Sequence, residues 1–205
     1  MVKLKQIKFK SFLLKLLIVI LLAVDGFILA NAGYFWQNFQ YTFFPNKIIV
    51  NLPSVTGSTP SMQPNLLIVP SLGITAPIQY VDVNSEKVFQ QALQNGVVHY
   101  PQTADIGTVG NAYIFGHSSD FVFSKGSYKT IFALLPKIKI GDQIVVSDKS
   151  GEKFVYNVTK TKVVSPSDLS VLDQNTNGNK ILTLQTSYPV GTALKRFVAI
   201  AQLAN

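Results

Sequence analysis

The chain has 205 residues, enough for one domain of ordinary size with additional segments at its ends. It contains no cysteine and two histidines, which excludes disulfides, thiolate metal sites, a cysteine nucleophile and histidine-rich metal sites. We therefore expect no metal and no other cofactor. The net charge of +8 comes largely from five lysines within the first fifteen residues, so it does not indicate a nucleic-acid-binding surface.

The amino-terminal segment has the pattern of a membrane anchor. Residues 1–15 are basic, and residues 16–36 form an apolar run that ends in aromatic residues and is long enough to cross a ~30 Å hydrocarbon core. The apolar residues contribute roughly 4–7 kcal/mol to insertion, which exceeds the ~3 kcal/mol cost of Asp25. The lysines predict a cytoplasmic amino terminus and an extracellular domain at the plasma membrane. A cleaved signal peptide is the alternative, because Ala30-Asn31-Ala32 resembles a cleavage site.

Residues 37–64 are rich in proline, serine, threonine and asparagine, which predicts a flexible tether. From residue 65 to 205 the pattern changes to short β-branched and apolar runs separated by turn residues, typical of strands. The predicted strands are 66–69, 76–81, 112–115, 143–146, 153–164, 181–186 and 197–203.

Helices are few in this domain. One is predicted at residues 85–94, between a cap at Asn84 and a stop at Gly96, and a short helical piece is predicted at residues 128–134. Many short strands with few helices favour a mainly β fold, a closed or nearly closed β-barrel. The long polar connection 165–179 is of a kind that is often functional.

Three features of the domain could carry chemistry. Gly116-His117 follows an apolar strand, Thr183-Leu184-Gln185-Thr186-Ser187 is a strand that ends in a hydroxyl, and Arg196 is the one arginine among 17 lysines. Each feature also has a non-functional interpretation. His117 could cap a turn, the hydroxyl-rich segment could be an ordinary strand end, and the single arginine could be a chance outcome of composition.

Together, in this order, the three features resemble the sortase family, the membrane-anchored cysteine transpeptidases of wall-bearing bacteria. The family's landmarks are a Gly-His after a strand, a Thr-Leu-x-Thr-Cys strand end and an arginine on the next strand. The segments 65–74, 96–101 and 110–111 are also similar to the family, so the resemblance covers about residues 65–203.

The resemblance implies a barrel of about eight strands and a transpeptidase. In the family, the nucleophile attacks the threonine carbonyl of an LPxTG-like sorting signal on a secreted protein, and an amine of a cell-wall precursor or pilin resolves the acyl intermediate. By this resemblance His117 protonates the leaving amine, Ser187 stands at the nucleophile position, and Arg196 holds the substrate and the developing oxyanion. Thr183 and Thr186 are expected to contact the substrate, and the connection 165–179 to select it. His99 is expected to pack beneath the site.

The chain departs from the family at the nucleophile, because Ser187 stands where the family has cysteine. A serine hydroxyl is not ionised near neutral pH and needs a strong neighbouring base. Either an engineered substitution or a natural serine variant with weak or no activity explains the residue. One rival is a non-catalytic module that binds sorting-signal peptides. Another is a type I signal-peptidase-like serine protease that uses Ser61, although the chain lacks that family's lysine segment.

Overall fold

The computed structural model describes residues 2–44, 62–120 and 124–204, with side chains from residue 10 onward. The main secondary-structure elements of the described residues are three α-helices and eight strands. In chain order they are α1 (Val2–Ala30), α2 (Ala32–Phe43), β1 (Leu66–Val69), β2 (Ile74–Tyr80), α3 (Glu86–Leu93), β3 (Val97–His99), β4 (Gly110–Phe115), β5 (Gln143–Ser147), β6 (Lys153–Val164), β7 (Lys180–Tyr188) and β8 (Lys195–Leu203).

The eight strands close into a barrel in the order β1-β2-β3-β4-β7-β8-β6-β5, which confirms the predicted fold. Strand β2 runs parallel to β3, and β4 runs parallel to β7, whereas the remaining neighbours are antiparallel. Because parallel strands end at the same edge of a sheet, the segments that follow β4 and finish β7 meet at one rim of the barrel.

The barrel is filled by alternate side chains of each strand. On β7, Leu182 and Leu184 are fully buried in the central core, whereas Gln185 and Ser187 face outward and are half-buried. Strands β2 and β3 approach closely at Gly96, where a Cβ would overlap the carbonyl oxygen of Pro77. A residue larger than glycine there would push α3 and β3 away from β2.

Most predicted elements appear with shifted ends, and one is wrong. Strands β1 and β6 have the predicted bounds, whereas the three-residue β3 was not predicted. The helical piece expected at residues 128–134 is a series of turns followed by a 3-10 helix at Leu135–Lys137. No α-helix forms there because the amide of Phe132 donates to the carbonyl of His117 (2.9 Å). This hydrogen bond replaces the helical backbone hydrogen bond that the Phe132 amide would make within the segment.

The predicted tether is corrected at both ends. Residues 37–43 belong to α2, and Gln37 Nε2 donates to Thr130 Oγ1 on the barrel (2.7 Å). At the other end, the buried Met62 already donates its amide to the carbonyl of Gly151 (3.0 Å). Residues 45–61, which include most of the tether and Ser61, lie outside the described residues.

Helix α1 fits a single-pass membrane anchor by length and composition. The stretch Lys10–Ala30 has 21 residues and is apolar enough to cross a bilayer. The helix is interrupted at Asn31, inside the predicted anchor 16–36, and α2 begins directly after it. The orientation of the anchor stays a prediction.

Candidate active site

His117, Ser187 and Arg196 line one cavity at the rim where β4 and β7 end. The parallel ladder pairs Phe115 with Gln185, and the amide of Gly116 extends it with a bond to the Gln185 carbonyl (3.1 Å). On the other side of β7, the antiparallel ladder pairs Ser187 directly with Arg196. Strand pairing therefore brings together three side chains that lie far apart in the sequence.

The cavity has a volume of about 340 Å³, and aromatic and aliphatic side chains alternate with polar and charged ones in its wall. Helix α3 contributes Phe89 and Leu93, and the 3-10 helix Leu169–Leu172 in the connection 165–179 closes the opposite side. The rings of Phe89 and Phe115 meet edge to face, with centroids 5.1 Å apart. In this active-site cavity, the aromatic and aliphatic side chains offer apolar contacts to a ligand.

The backbone on both sides of His117 is held by hydrogen bonds. Thr186 Oγ1 donates to the carbonyl of Gly116 (2.9 Å), and the carbonyl of His117 accepts from Phe132. Burial lowers the pKa of the His117 imidazole, and the charges of Asp120 and Glu86 oppose that change without reversing it. The imidazole is therefore mainly neutral at pH 7, the form that accepts a proton.

Stability should fall as the pH falls below about 6.5, because burial lowers the folded-state pKa of both His117 and His99 from their ordinary value of 6.5. Between the lowered and ordinary values the unfolded chain binds more protons than the folded chain, so acid favours unfolding. Above about pH 6.5 the two histidines should add no pH dependence. Thermal unfolding of the detergent-solubilised chain from about pH 5 to 8 measures this dependence.

Histidine-to-glutamine variants are the control for that titration. His99→Gln and His117→Gln should each flatten the curve between about pH 5 and 6.5, while leaving the acid loss near pH 4, where carboxylates titrate, in place. An unchanged slope in the double variant would show that the histidines do not cause it.

Arg196 is oriented by its own loop. Nη1 donates to the carbonyls of Ala193 and Lys195, both at 3.1 Å, which uses one of the three guanidinium nitrogens. Burial raises the pKa of the Tyr113 hydroxyl in the cavity wall, and the positive charge of Arg196 opposes that rise. The positive charge of the Arg196 guanidinium therefore acts on the Tyr113 hydroxyl in the wall of the active-site cavity.

Tyr113 and Gln185 are cavity residues that the sequence interpretation missed. The hydroxyl of Tyr113 donates to Oε1 of Gln185 across the β4–β7 pair. Both could have been found from strand alternation, because Gln185 precedes Ser187 by two residues and Tyr113 precedes Phe115 by two. The pair fixes two polar side chains in the wall beside Ser187.

Thr183 and Thr186 do not line the active-site cavity, so the expectation that their side chains contact substrate is corrected. Both are about 1% exposed. Thr186 lies on the same face of β7 as Leu182 and Leu184 and points into the barrel. Thr183 faces outward, but its hydroxyl donates to Asn111 Oδ1 (2.7 Å), and Asn111 in turn donates to the Val171 carbonyl (2.9 Å). These residues position β4, β7 and the connection 165–179.

Thr186→Val should destabilise the folded chain by about 1–3 kcal/mol, because it leaves the buried carbonyl of Gly116 without its hydroxyl partner. Chemical denaturation of the solubilised chain measures the loss. Thr159→Val is the matched control, since its exposed hydroxyl also donates to a carbonyl, that of Ile200 (3.2 Å), and should cost less than about 0.5 kcal/mol. Equal losses would contradict a structural role specific to Thr186.

His99 lies away from the active-site cavity. It is buried, its Nε2 is 2.9 Å from the carbonyl of Ala104, and its ring stacks on Tyr80 with centroids 4.8 Å apart. The structure therefore gives this histidine a packing environment at the paired strands β2 and β3.

A second cavity, of about 290 Å³, opens on the other side of Ser187. Its lining includes the polar residues Ser118, Ser119, Asp120 and Thr192, together with Ala30 and Asn31 from the junction of α1 and α2. The amide of Gly191 donates to Ser119 Oγ (3.0 Å). Ser187 thus lines both cavities. Among the described residues, no group of three or more His, Cys, Asp or Glu side chains is arranged to hold a metal ion.

The barrel order and the rim site can be compared with known families. The family model described as the sortase domain matches residues 67–204, which is more than half of the chain and nearly the whole barrel. The chain belongs to the sortase family. The family match accounts for the closed barrel.

Two curated relatives are sortases of Gram-positive bacteria. Sortase A of Listeria monocytogenes is 34% identical over 95 residues, which cover 42% of this chain and 41% of that protein. Sortase D of Bacillus subtilis is 29% identical over 109 residues, 52% of this chain and 49% of that protein. The matched region thus spans less than half of the length of either relative.

Solved sortase structures share the fold. A Clostridium perfringens sortase D5 transpeptidase superposes with a TM-score of 0.55 at 26% identity, covering 68% of this chain and 78% of the other. Sortase C1 of Streptococcus suis gives a TM-score of 0.58 at 20% identity, covering 71% and 74% of the two chains. This sortase-family chain therefore shares the barrel architecture of these proteins.

Proposed function

We propose that this chain binds an LPxTG-like sorting signal of a secreted protein in the active-site cavity and transfers its acyl group to an amine of the cell wall or a pilin. The observation that carries the proposal is the meeting of His117, Ser187 and Arg196 in one cavity of a sortase-family barrel. The apolar wall from α3 and the 3-10 helix suits the leucine and proline of such a signal.

The acyl transfer has two balanced steps. Ser187 Oγ attacks the threonine carbonyl as its proton passes to His117, the peptide C–N bond breaks, and His117 returns the proton to the leaving amine. The acceptor amine then attacks the resulting ester, and its proton returns through His117 to Ser187 Oγ. Arg196 stabilises the oxyanion in both steps. The lowered pKa of His117 supports its role as the proton acceptor, because the neutral imidazole is the form required.

The second cavity offers the acceptor amine a route to the acyl group. It shares Ser187 with the active-site cavity, and its hydroxyls, the Asp120 carboxylate and the Asn31 amide are groups that accept hydrogen bonds from an ammonium. A peptide donor in the active-site cavity and an amine acceptor in the second cavity would meet at Ser187 without competing for one space.

The membrane segment supports a reaction at the cell surface. We infer that residues 16–36 contain an uncleaved anchor, with the basic residues 1–15 in the cytoplasm and the barrel outside. That arrangement gives the barrel access to secreted proteins and to wall-linked amines.

Ser187 also supports a second candidate, a sortase-shaped module that binds sorting signals without cleaving them, because serine is a poor nucleophile without a strong base. A fluorogenic LPxTG-like peptide with hydroxylamine as acceptor separates the two candidates. The unmodified chain should cleave at least about tenfold faster than Ser187→Ala, while both bind the peptide equally. Equal rates with retained binding would establish the binding module. No binding of any such peptide would refute both.

The same assay addresses the signal-peptidase-like alternative. Ser61→Ala should leave peptide cleavage unchanged, because the family match begins at residue 67 and the acting hydroxyl belongs to Ser187. Loss of cleavage in Ser61→Ala with full activity in Ser187→Ala would favour the protease.

A further inference from the structure

Helix α2 has two different faces. Its half-buried residues, Tyr34, Gln37, Asn38 and Tyr41, continue the face of the buried Asn31 and turn toward the barrel. Gln37 donates to Thr130, and Tyr41 packs against the central core with Lys137 Nζ 5.7 Å from its ring centroid. This face anchors α2 on the segment that follows β4.

The opposite face of α2 is an aromatic stripe formed by Phe35, Trp36, Phe39 and Phe43. Three of these rings form a continuous series, with centroids 5.8 Å apart for Trp36 and Phe39 and 4.8 Å apart for Phe39 and Phe43. Trp36 is 61% exposed and Phe43 65% exposed. A contiguous exposed aromatic patch of this kind marks a binding surface for a protein or a membrane.

We propose that the aromatic stripe of α2 lies in the headgroup region of the bilayer and holds the barrel directly on the membrane surface. The membrane-spanning stretch ends at Ala30, and α2 begins two residues later, so the stripe emerges where the hydrocarbon core ends. Tryptophan and other aromatic residues are favoured at that depth. An interfacial helix usually turns a charged face to water, but α2 has no charged residue, because its polar face is occupied by the barrel.

The charge of the docking segment favours the same occupant. Residues 124–139, which include the α2 partners Thr130 and Lys137, carry four lysines and no acidic residue. Basic side chains beside an interfacial helix are attracted to anionic lipid headgroups. A bilayer therefore complements both the aromatic stripe and the basic segment next to it.

The contact has a consequence for the site that rests on the proposed function. Asn31, at the junction of α1 and α2, lies against the loop between Ser187 and Arg196, since a Cβ on Gly191 would come within 2.6 Å of Asn31 Oδ1. A barrel held by α2 thus keeps the second cavity next to the membrane. Acceptors that are themselves bound to the membrane are then presented at that cavity.

Trp36 is the only tryptophan of the chain, so its fluorescence reports the stripe directly. The full chain is placed in lipid nanodiscs of phosphatidylcholine and phosphatidylglycerol whose acyl chains are brominated either near the headgroup or near the chain end. Bromine near the headgroup should quench Trp36 at least about threefold more than bromine at the chain end, and aqueous iodide should quench it weakly. The readout does not depend on catalysis, so it is separate from the test of the proposed function.

A displaced tryptophan is the matched control. In Trp36→Phe combined with Val109→Trp, the reporter precedes β4, roughly 20 Å along the strand from the rim, and should be quenched by iodide and not by bromine. Trp36 that iodide quenches freely, with no bromine effect, would overturn the proposal. Shielding from both quenchers with two chains per disc would overturn it in favour of a second copy covering the stripe.

A crosslink tests that α2 stays on the barrel in the same discs. A Cβ on Gly33 would lie 3.1 Å from Thr130 Cγ2, and the chain has no other cysteine, so Gly33→Cys with Thr130→Cys should form a disulfide nearly completely under mild oxidation. Failure to crosslink, with Trp36 still quenched by lipid, would show that the barrel is not held at the membrane by α2.

Discussion

Ser187→Cys should increase cleavage of an LPxTG-like peptide in the presence of hydroxylamine by about 10³-fold or more over the unmodified chain, which corresponds to about 4 kcal/mol of activation free energy. A cysteine is a few per cent thiolate near pH 7 without assistance, whereas the serine hydroxyl must lose its proton to His117 during the attack. Ser187 is half-buried at the end of β7, with open volume on both sides, so the larger sulfur atom fits without displacing the core.

Single-turnover cleavage with mass spectrometry of the acyl–enzyme measures the effect of this substitution. The variant should accumulate a thioester at residue 187, and the acyl product should appear as the hydroxamate. Ser118→Cys is the matched control, because Ser118 is buried beside the same cavities and is not the nucleophile in either proposed step, so a cysteine there should form no thioester. Peptide binding without thioester formation in Ser187→Cys would contradict the proposed nucleophile position and favour the binding module.

The sequence was sufficient for the barrel and for the residues that meet at its rim, because both depend on local patterns. Strand β6 is a twelve-residue alternating run that predicts its own bounds. His117 and Ser187 each stand at or just past a strand end, so pairing β4 with β7 in parallel is enough to bring them together.

The features that sequence reasoning missed depend on contacts between distant segments. The direction of α2 is set by the hydrogen bond from Gln37 to Thr130, which lies 93 residues away in the sequence. The prolines from residue 45 onward favour an irregular structure and so predict a tether for residues 37–64 as a whole. Strand β3 has three residues, too few to show alternation, and exists because β2 and β4 pair with it on both sides. Thr186 is different, because its alternation with Leu184 along β7 already indicates that its side chain points into the barrel.

Loss of either His117 or Arg196 should nearly abolish the activity of the Ser187→Cys variant. His117→Ala removes the group that protonates the leaving amine and should lower single-turnover cleavage by about 10²–10⁴-fold. Arg196→Ala removes the guanidinium, which is oriented beside Ser187 by the hydrogen bonds from Nη1 to the carbonyls of Ala193 and Lys195. This substitution should lower single-turnover cleavage by about 10²–10³-fold. Arg196→Lys should recover only part of that loss, because lysine keeps the charge without the planar fork.

The second histidine supplies the control for a general loss of folding. His99→Ala removes a buried ring from its stack with Tyr80 and should lower the unfolding temperature, yet leave cleavage by the folded Ser187→Cys variant within about threefold, since no catalytic residue contacts it. Adding imidazole should restore part of the activity of His117→Ala and none of that of Arg196→Ala. Equal losses of activity in His99→Ala and His117→Ala would contradict the proton transfer assigned to His117. Both histidines would then affect the reaction only by stabilising the barrel.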